Sequence, residues 1–110
     1  INRNDGGVTT SRDTSELVYR LQNSMMLSDK ARRTVFDGLY AQELREGIPA
    51  GCGTECLVGN KTGELDGIKH DAAVVKHGDA HYVVVIMSSG NSSWHQVAEV
   101  AKAIDIAMRP

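Results

Sequence analysis

The chain has 110 residues, of which 41% are hydrophobic and 24% are charged, a composition typical of a globular domain. Its net charge of −2 provides no broad basic field, which argues against a partner bound through nucleic-acid phosphates. The longest apolar run, residues 82–87, is too short to span a bilayer. We therefore expect no nucleic-acid partner and no membrane segment.

Two amphipathic helices are predicted in the first half of the chain. Thr10 and Asp13 have the spacing of a helix cap, and the apolar residues that follow predict a helix over residues 11–23. A second cap at Ser28 and a second apolar stripe predict a helix over residues 28–42. Pro49 and three glycines then predict a loop over residues 47–53.

The second half of the chain has the pattern of a small sheet followed by a helix. Short apolar runs predict strands over residues 55–61, 68–76 and 81–88, joined as an antiparallel meander. Ser93 and Gln96 have the spacing of a capping box, and the apolar stripe after them predicts a helix over residues 93–108. Trp94 is in phase with that stripe, which favours core packing over ligand stacking.

The fold class predicted from these elements is α+β. A three-stranded antiparallel sheet carries the C-terminal helix packed on it, together with two N-terminal helices, in one unit over residues 1–110. So few residues leave sheet edges uncovered, and the chain begins at Ile1 without an initiator Met or an apolar signal segment. We therefore expect missing partner structure, either an N-terminal half of the domain or another copy of the chain.

The most distinctive tract is Lys61-Thr62-Gly63, near the end of the first predicted strand. On a strand, Lys61 and Gly63 face one way and Thr62 faces the other. Gly63 lets a ligand or another backbone approach closely. Lys61 can hold an anion or lower the pKa of a nearby hydroxyl, and Thr62 can donate to a carboxylate. Spacing alone also fits a polar hairpin with its turn at residues 65–67, and without further context that simpler interpretation is favoured, because three-residue motifs are frequent by chance.

In its wider context the tract resembles the K-T-G motif of the class A β-lactamases and their penicillin-binding relatives, which are serine hydrolases. Lys69 and Asp71 follow after a turn, and two more apolar strands and a terminal helix come next, in the family's order. The segment 48–51 before the first strand extends the resemblance. The chain is therefore similar to the C-terminal part of the β-lactamase fold.

The resemblance implies a role for each residue of the tract. Lys61 would line the active site and hydrogen-bond the catalytic hydroxyl network, and Thr62 would contact the substrate carboxylate beside Gly63. The backbone N–H of Glu64 would form half of an oxyanion hole. Lys69 stands where many relatives have an Arg, and it would contact the same carboxylate without bidentate geometry. The resemblance implies no metal and no other cofactor.

The chain also departs from the family pattern. No Ser is followed by Lys three residues later, so the S-x-x-K nucleophile motif is absent and the chain alone is expected to be inactive. The intact parent is expected to act on β-lactams or D-Ala-D-Ala-like peptides outside the cytoplasmic membrane, secreted or periplasmic. Two alternatives are a non-catalytic binding or structural module with this fold and a D-Ala-D-Ala peptidase-type penicillin-binding protein.

Two cysteines leave further alternatives open. Cys52 and Cys56 can pair only if a tight loop brings their Cα atoms within about 7 Å, and a reduced pair of loop thiols fits equally well. With His70 they would offer three zinc ligands, but structural zinc usually has four, so loop thiols are favoured. His77 and His81 flank a predicted turn and are expected to be solvated.

Overall fold

The computed structural model describes residues 8–23 and 27–109, so residues 1–7, 24–26 and 110 of the predicted unit lie outside the described part of the chain. Its three strands form one antiparallel sheet in the order β1-β2-β3, with helices around it, which confirms the predicted α+β class. The elements are α1 (Ser11–Asn23), α2 (Asp29–Tyr40), α3 (Ile48–Cys52), β1 (Leu57–Leu65), β2 (Ile68–His77), β3 (Ala80–Ser88) and α4 (Trp94–Met108).

Helices cover the sheet on both faces. On one face, which we call the core face, alternate strand residues pack against α3 and α4. On the opposite outer face, α2 contacts β1 and α1 contacts β3. The buried core consists of apolar side chains from the core face and its two helices: Ile48, Val58, Ala73, Val75, Val84, Ile86, Val97 and Ala101.

The start of α4 follows from its sequence. The Ser93 hydroxyl accepts from the Gln96 N–H, and the Gln96 side chain accepts from the Ser93 N–H, so the expected capping box is confirmed. Trp94 packs against the core cluster, as its helical phase predicts. Among residues 8–23 and 27–109, no helix combines the length and the apolar character needed to cross a membrane.

The first strand reaches further than the sequence pattern predicted. Its pairing with β2 runs from Leu57 opposite Lys76 to Leu65 opposite Ile68, whereas the predicted strand ends at Lys61. The hairpin turn between the strands contains Gly67, whose φ of 69° is a conformation that glycine adopts without strain. The K-T-G tract therefore lies inside the paired ladder.

The loop predicted over residues 47–53 contains the short helix α3. Pro49 lies in its first turn, where the missing N–H of proline is not needed. A Cβ at Gly51 would lie 2.1 Å from the Ala98 carbonyl oxygen of α4, so only glycine permits this close approach. Pro49 and Gly51, which as residue types favour a loop, thus belong to a short helix, and Gly51 lets it lie against α4.

Candidate active site

The predicted site residues lie on the hairpin of β1 and β2. β1 is an edge strand, and Lys61, Gly63 and Glu64 on it are exposed. Lys69 is half-buried and lies directly opposite Glu64 in the strand register. The hairpin thus brings all the residues of the tract together with Lys69 at one end of the sheet.

The two faces of the hairpin receive different side chains. Thr62 lies opposite Asp71 and Glu64 opposite Lys69, and directly opposed residues of an antiparallel pair share a face. These four residues therefore lie on the core face, whereas Lys61 lies on the outer face. The Lys61 ammonium folds back and donates a hydrogen bond to the Thr62 carbonyl, so it stays beside the strand backbone.

A small cavity adjoins this part of β1. Its volume is about 140 Å³, and its lining includes Thr62, which is 8% exposed, together with Glu46, Glu64 and Trp94. The Trp94 indole N–H donates to the Glu64 carboxylate at 2.8 Å, which ties the start of α4 to the site strand. Sequence reasoning missed Glu46 and this second role of Trp94. The available signal was that a half-buried indole N–H needs an acceptor.

Asp71, on the neighbouring strand β2, stabilises the position of β1. It is fully buried, and its carboxylate accepts from the Ile48 N–H at 2.9 Å and from the Asn60 side-chain amide at 3.0 Å. Burial raises the pKa of the Asp71 carboxyl, against the opposing effects of those hydrogen bonds and of the Arg45 charge. Asp71 joins β2 to β1 and to the start of α3, so its role is to order the fold.

Asn60 completes this buried network. Its amide also donates to the Leu44 carbonyl at 3.1 Å, while its Oδ1 has no hydrogen-bond partner among the described residues. Gly47 lies against the same network, because a Cβ there would be 2.7 Å from Asp71 Oδ2. The site strand is therefore held by a polar core that tolerates little change in side-chain volume.

The cysteines, His70 and His77 have surroundings that differ from those predicted. Cys52 and Cys56 form a disulfide with their Cα atoms 5.9 Å apart, so the alternative of two reduced loop thiols does not describe this structure. His70 pairs with Gly63 at the end of β2 that carries Lys69 and lies away from the cysteines, so the three-ligand zinc set of the two cysteines and His70 is wrong. His77 contacts Cys56, and its side chain is only 13% exposed, so the solvated role predicted for it is also wrong.

The family follows from comparison with known proteins. The model of the β-lactamase enzyme family matches residues 2–107. The chain belongs to the β-lactamase enzyme family. This membership confirms the resemblance derived from the K-T-G tract and its neighbours. A search of curated proteins found no match.

Solved structures share the fold of this β-lactamase family chain. PBP-A matches with a TM-score of 0.81 and 23% identity over 90% of this chain. A mutant class A β-lactamase of the last common ancestor of Gram-negative bacteria matches with a TM-score of 0.79 and 24% identity over 90% of this chain. The β-lactamase of Francisella tularensis matches with a TM-score of 0.82 and 17% identity over 90% of this chain. The chain spans only 39%, 40% and 41% of these three chains, respectively.

Proposed function

We propose that the natural polypeptide containing this chain is a serine hydrolase that opens β-lactams, and that this chain supplies the Lys61-Thr62-Gly63 wall of its active site. The observation that carries the proposal is the exposed edge strand β1, which presents this tract in one hairpin with Lys69. Membership of an enzyme family that cleaves β-lactams supports the same chemistry at a coarser level.

The proposed reaction passes through an acyl-enzyme. A Ser hydroxyl from outside this chain attacks the lactam carbonyl carbon, the C–N bond breaks, and the hydroxyl proton is transferred to the ring nitrogen. Water then hydrolyses the ester, which restores the Ser hydroxyl and releases a carboxylic acid. The Glu64 N–H is one of two donors that stabilise the oxyanion, a contribution of about 3–4 kcal/mol per donor in comparable sites.

The remaining residues of the tract bind the substrate. Thr62 and Lys69 share the core face of the hairpin, which lets a hydroxyl and an ammonium meet the same carboxylate. Lys61 lies on the opposite face and hydrogen-bonds the catalytic hydroxyl network. Lys69 provides charge without the paired donors of Arg, so we expect its contribution to be smaller than an Arg would give.

The proposal requires structure beyond these residues. The chain spans about two fifths of the length of the solved relatives, and the nucleophile comes from a segment upstream of it in the natural polypeptide. The free edge of β3 in the described sheet offers one place for that structure to pair. We also propose that the protein works outside the cytoplasmic membrane, where β-lactams and D-Ala-D-Ala peptides are met.

The test is hydrolysis of the chromogenic β-lactam nitrocefin by the natural full-length polypeptide. We expect turnover by the wild type and a loss of about 100-fold or more in kcat/KM for Lys61→Ala. Lys76→Ala is the matched control, because Lys76 is an exposed lysine on the outer face of the next strand, and it should leave kcat/KM unchanged. An equal loss in both variants would contradict the role of Lys61.

A second candidate, a D-Ala-D-Ala peptidase-type penicillin-binding protein, is favoured by the likeness to PBP-A. A PBP-A mutant has been solved as an acyl-enzyme complex with penicillin G, and it matches this chain with a TM-score of 0.82 and 23% identity. Stable covalent labelling by penicillin without nitrocefin turnover, together with release of D-Ala from a peptide, would support this candidate. Neither labelling nor turnover would support the non-catalytic module instead.

A further inference from the structure

A second group of polar side chains lies at the end of β2 remote from the candidate active site. Cys52 ends α3, Cys56 precedes β1, His77 ends β2, and Asp105 is buried on α4. One ligand atom from each residue lies within 4.8 Å of those of the other three. This cysteine–histidine–aspartate cluster borders a cleft of about 310 Å³, so small ions reach it from solvent.

Two distances inside the cluster, both from His77, are close to those of a tetrahedral zinc site. His77 Nδ1 is 3.2 Å from Cys56 Sγ and 2.9 Å from Asp105 Oδ2. With Zn–S at about 2.3 Å and Zn–N and Zn–O at about 2.0–2.2 Å, neighbouring ligand atoms in such a site are about 3.3–3.8 Å apart. Shifts of about half an ångström or less would bring these His77 contacts to those separations.

The cluster also has the outer hydrogen bonds that zinc ligands usually require. His77 Nε2 lies 3.3 Å from the Glu55 carboxylate, and a metal-ligating histidine typically donates its second ring N–H to such a group. The Tyr82 hydroxyl donates to Asp105 Oδ1 at 2.6 Å, which leaves Oδ2 directed at His77.

The charge balance fits a divalent cation. Two thiolates, one carboxylate and one Zn²⁺ sum to a single negative charge. Arg109 compensates this charge, because its Nε donates to Asp105 Oδ2 at 3.2 Å. Two thiolates with one imidazole are ligands that favour zinc over calcium or magnesium.

The disulfide controls whether the sulfurs are available. In the structure Cys52 and Cys56 are bonded, so neither is a thiolate. A dithiol reductant breaks the S–S bond by supplying two electrons and two protons, and is itself oxidised to a disulfide. The freed sulfurs can then rotate apart to the separation of about 3.8 Å that two zinc-bound thiolates need.

We propose that the reduced Cys52 and Cys56, His77 Nδ1 and Asp105 Oδ2 form a four-ligand zinc site, and that the Cys52–Cys56 disulfide closes it. Zinc binding releases the two thiol protons. A disulfide oxidant reverses the process: it takes two electrons from the thiolates, is itself reduced to a dithiol, and the S–S bond that forms between Cys52 and Cys56 releases the metal. The site lies at the opposite end of the β1–β2 hairpin from the K-T-G tract, and none of its four ligands belongs to that tract. A failure of the proposed β-lactam chemistry would therefore leave the zinc proposal unaffected, and a failure of the zinc proposal would leave the β-lactam chemistry unaffected.

The test uses Zn²⁺ alone with the natural full-length polypeptide, in matched oxidised and reduced anaerobic samples. Native mass spectrometry should show one zinc per reduced chain and none on the oxidised chain. In competition with a chromophoric chelator, His77→Ala and Asp105→Asn should lower zinc affinity by more than about 100-fold, and Glu55→Gln by about 10-fold. His81→Ala is the matched control, since His81 is exposed across the same turn, and it should bind zinc like the wild type.

Two further measurements on the reduced wild type keep the proposal testable if a variant fails to fold. Zn²⁺ should slow alkylation of both cysteines, and Co²⁺ should give a thiolate-to-metal charge-transfer band. The proposal is overturned if the reduced wild type binds no zinc, if the oxidised chain binds it equally well, or if Zn²⁺ leaves alkylation unchanged. An equal loss in His81→Ala and His77→Ala would also overturn it.

Discussion

Two buried carboxylates lie near opposite ends of the sheet, and they are held in different ways. Asp71 is 0% exposed and accepts from the Ile48 backbone N–H and the buried Asn60 amide. Asp105 is 3% exposed but accepts from the Tyr82 hydroxyl and contacts His77 and Arg109. The donors at the first carboxylate are fixed by the scaffold, whereas those at the second are side chains beside a cleft.

This difference separates a structural carboxylate from one suited to binding. The partners of Asp71 lie in the interior and cannot leave without exposing unpaired polar groups. Asp105 belongs to a group of potential metal ligands, and two of its partners, His77 and Arg109, line the cleft. Burial alone therefore does not identify a functional carboxylate, and the chemistry of its partners does.

The largest expected effect comes from removing the first carboxylate. Asp71→Ala leaves the Ile48 N–H and the Asn60 amide without their acceptor, at about 1–3 kcal/mol for each buried donor, partly offset because a buried charge is removed. We expect the free energy of unfolding of the full-length polypeptide, measured in urea, to fall by about 3 kcal/mol. Asp79→Ala, at an exposed turn, is the control and should change it by less than about 0.5 kcal/mol.

If Asp71→Ala were as stable as the control, the buried network would not hold the strand. Asp71 would then contribute no more to the free energy of unfolding than an exposed residue does, and its contrast with Asp105 would be lost.

A methyl group beside the same carboxylate should have the next largest effect. In Gly47→Ala the new Cβ would lie 2.7 Å from Asp71 Oδ2 and 3.2 Å from the Trp94 ring, so the network must shift. We expect a loss of about 2 kcal/mol, within the range for overpacked interiors. Gly38→Ala is the matched control: it has open space in the interior of α2 and should gain about 1 kcal/mol. Urea unfolding curves of both variants should therefore move in opposite directions.

Replacing the second carboxylate, Asp105, should lower the free energy of unfolding by less than replacing Asp71. In Asp105→Asn the side-chain carbonyl can still accept from the Tyr82 hydroxyl, and His77 and Arg109 can turn to water in the cleft. We expect the oxidised protein to lose about 1 kcal/mol of unfolding free energy, well below the loss in Asp71→Ala. A loss as large as that of Asp71→Ala would mean that both carboxylates are structural and would remove the distinction.

The sequence predicted those features that depend on neighbouring residues. The Ser93–Gln96 capping box and the phase of Trp94 are local patterns, and both are present in α4. The meander follows from three apolar runs with short connections, and the K-T-G tract was recognised from its order among those elements. The capping box and the helical phase lie within a few residues, where hydrogen-bond and packing rules act directly, whereas the K-T-G tract depended on a family resemblance over several elements.

The features that were missed depend on contacts between distant residues. α3 forms although its sequence contains Pro49 and Gly51. Because Gly51 has no side chain, α3 can pack closely against α4, and this contact stabilises the short helix. His77 and Asp105 are 28 residues apart, and no periodicity indicates which turn of a terminal helix meets which strand end. His77 was therefore assigned to solvent and His70 was considered with the cysteines, although the register carries His70 to the other end of β2.

The smallest expected effect is on how the free energy of unfolding changes with pH. Burial raises the pKa of Asp71 above its ordinary value of 3.8, so the folded protein holds this proton at pH values where the unfolded chain has released it. The stability contributed by Asp71 is therefore fully present below about pH 3.8 and is lost as the pH rises through the folded-state pKa.

Other groups titrate alike in wild type and Asp71→Asn, so the difference between the unfolding free energies of these two proteins isolates this effect. As the pH rises above about 3.8, that difference should shift against the wild type, and it should level off once the pH has passed the folded-state pKa. A shift in favour of the wild type would mean that the hydrogen bonds from Ile48 and Asn60 outweigh burial, and that Asp71 is an ionised anchor rather than a desolvated one.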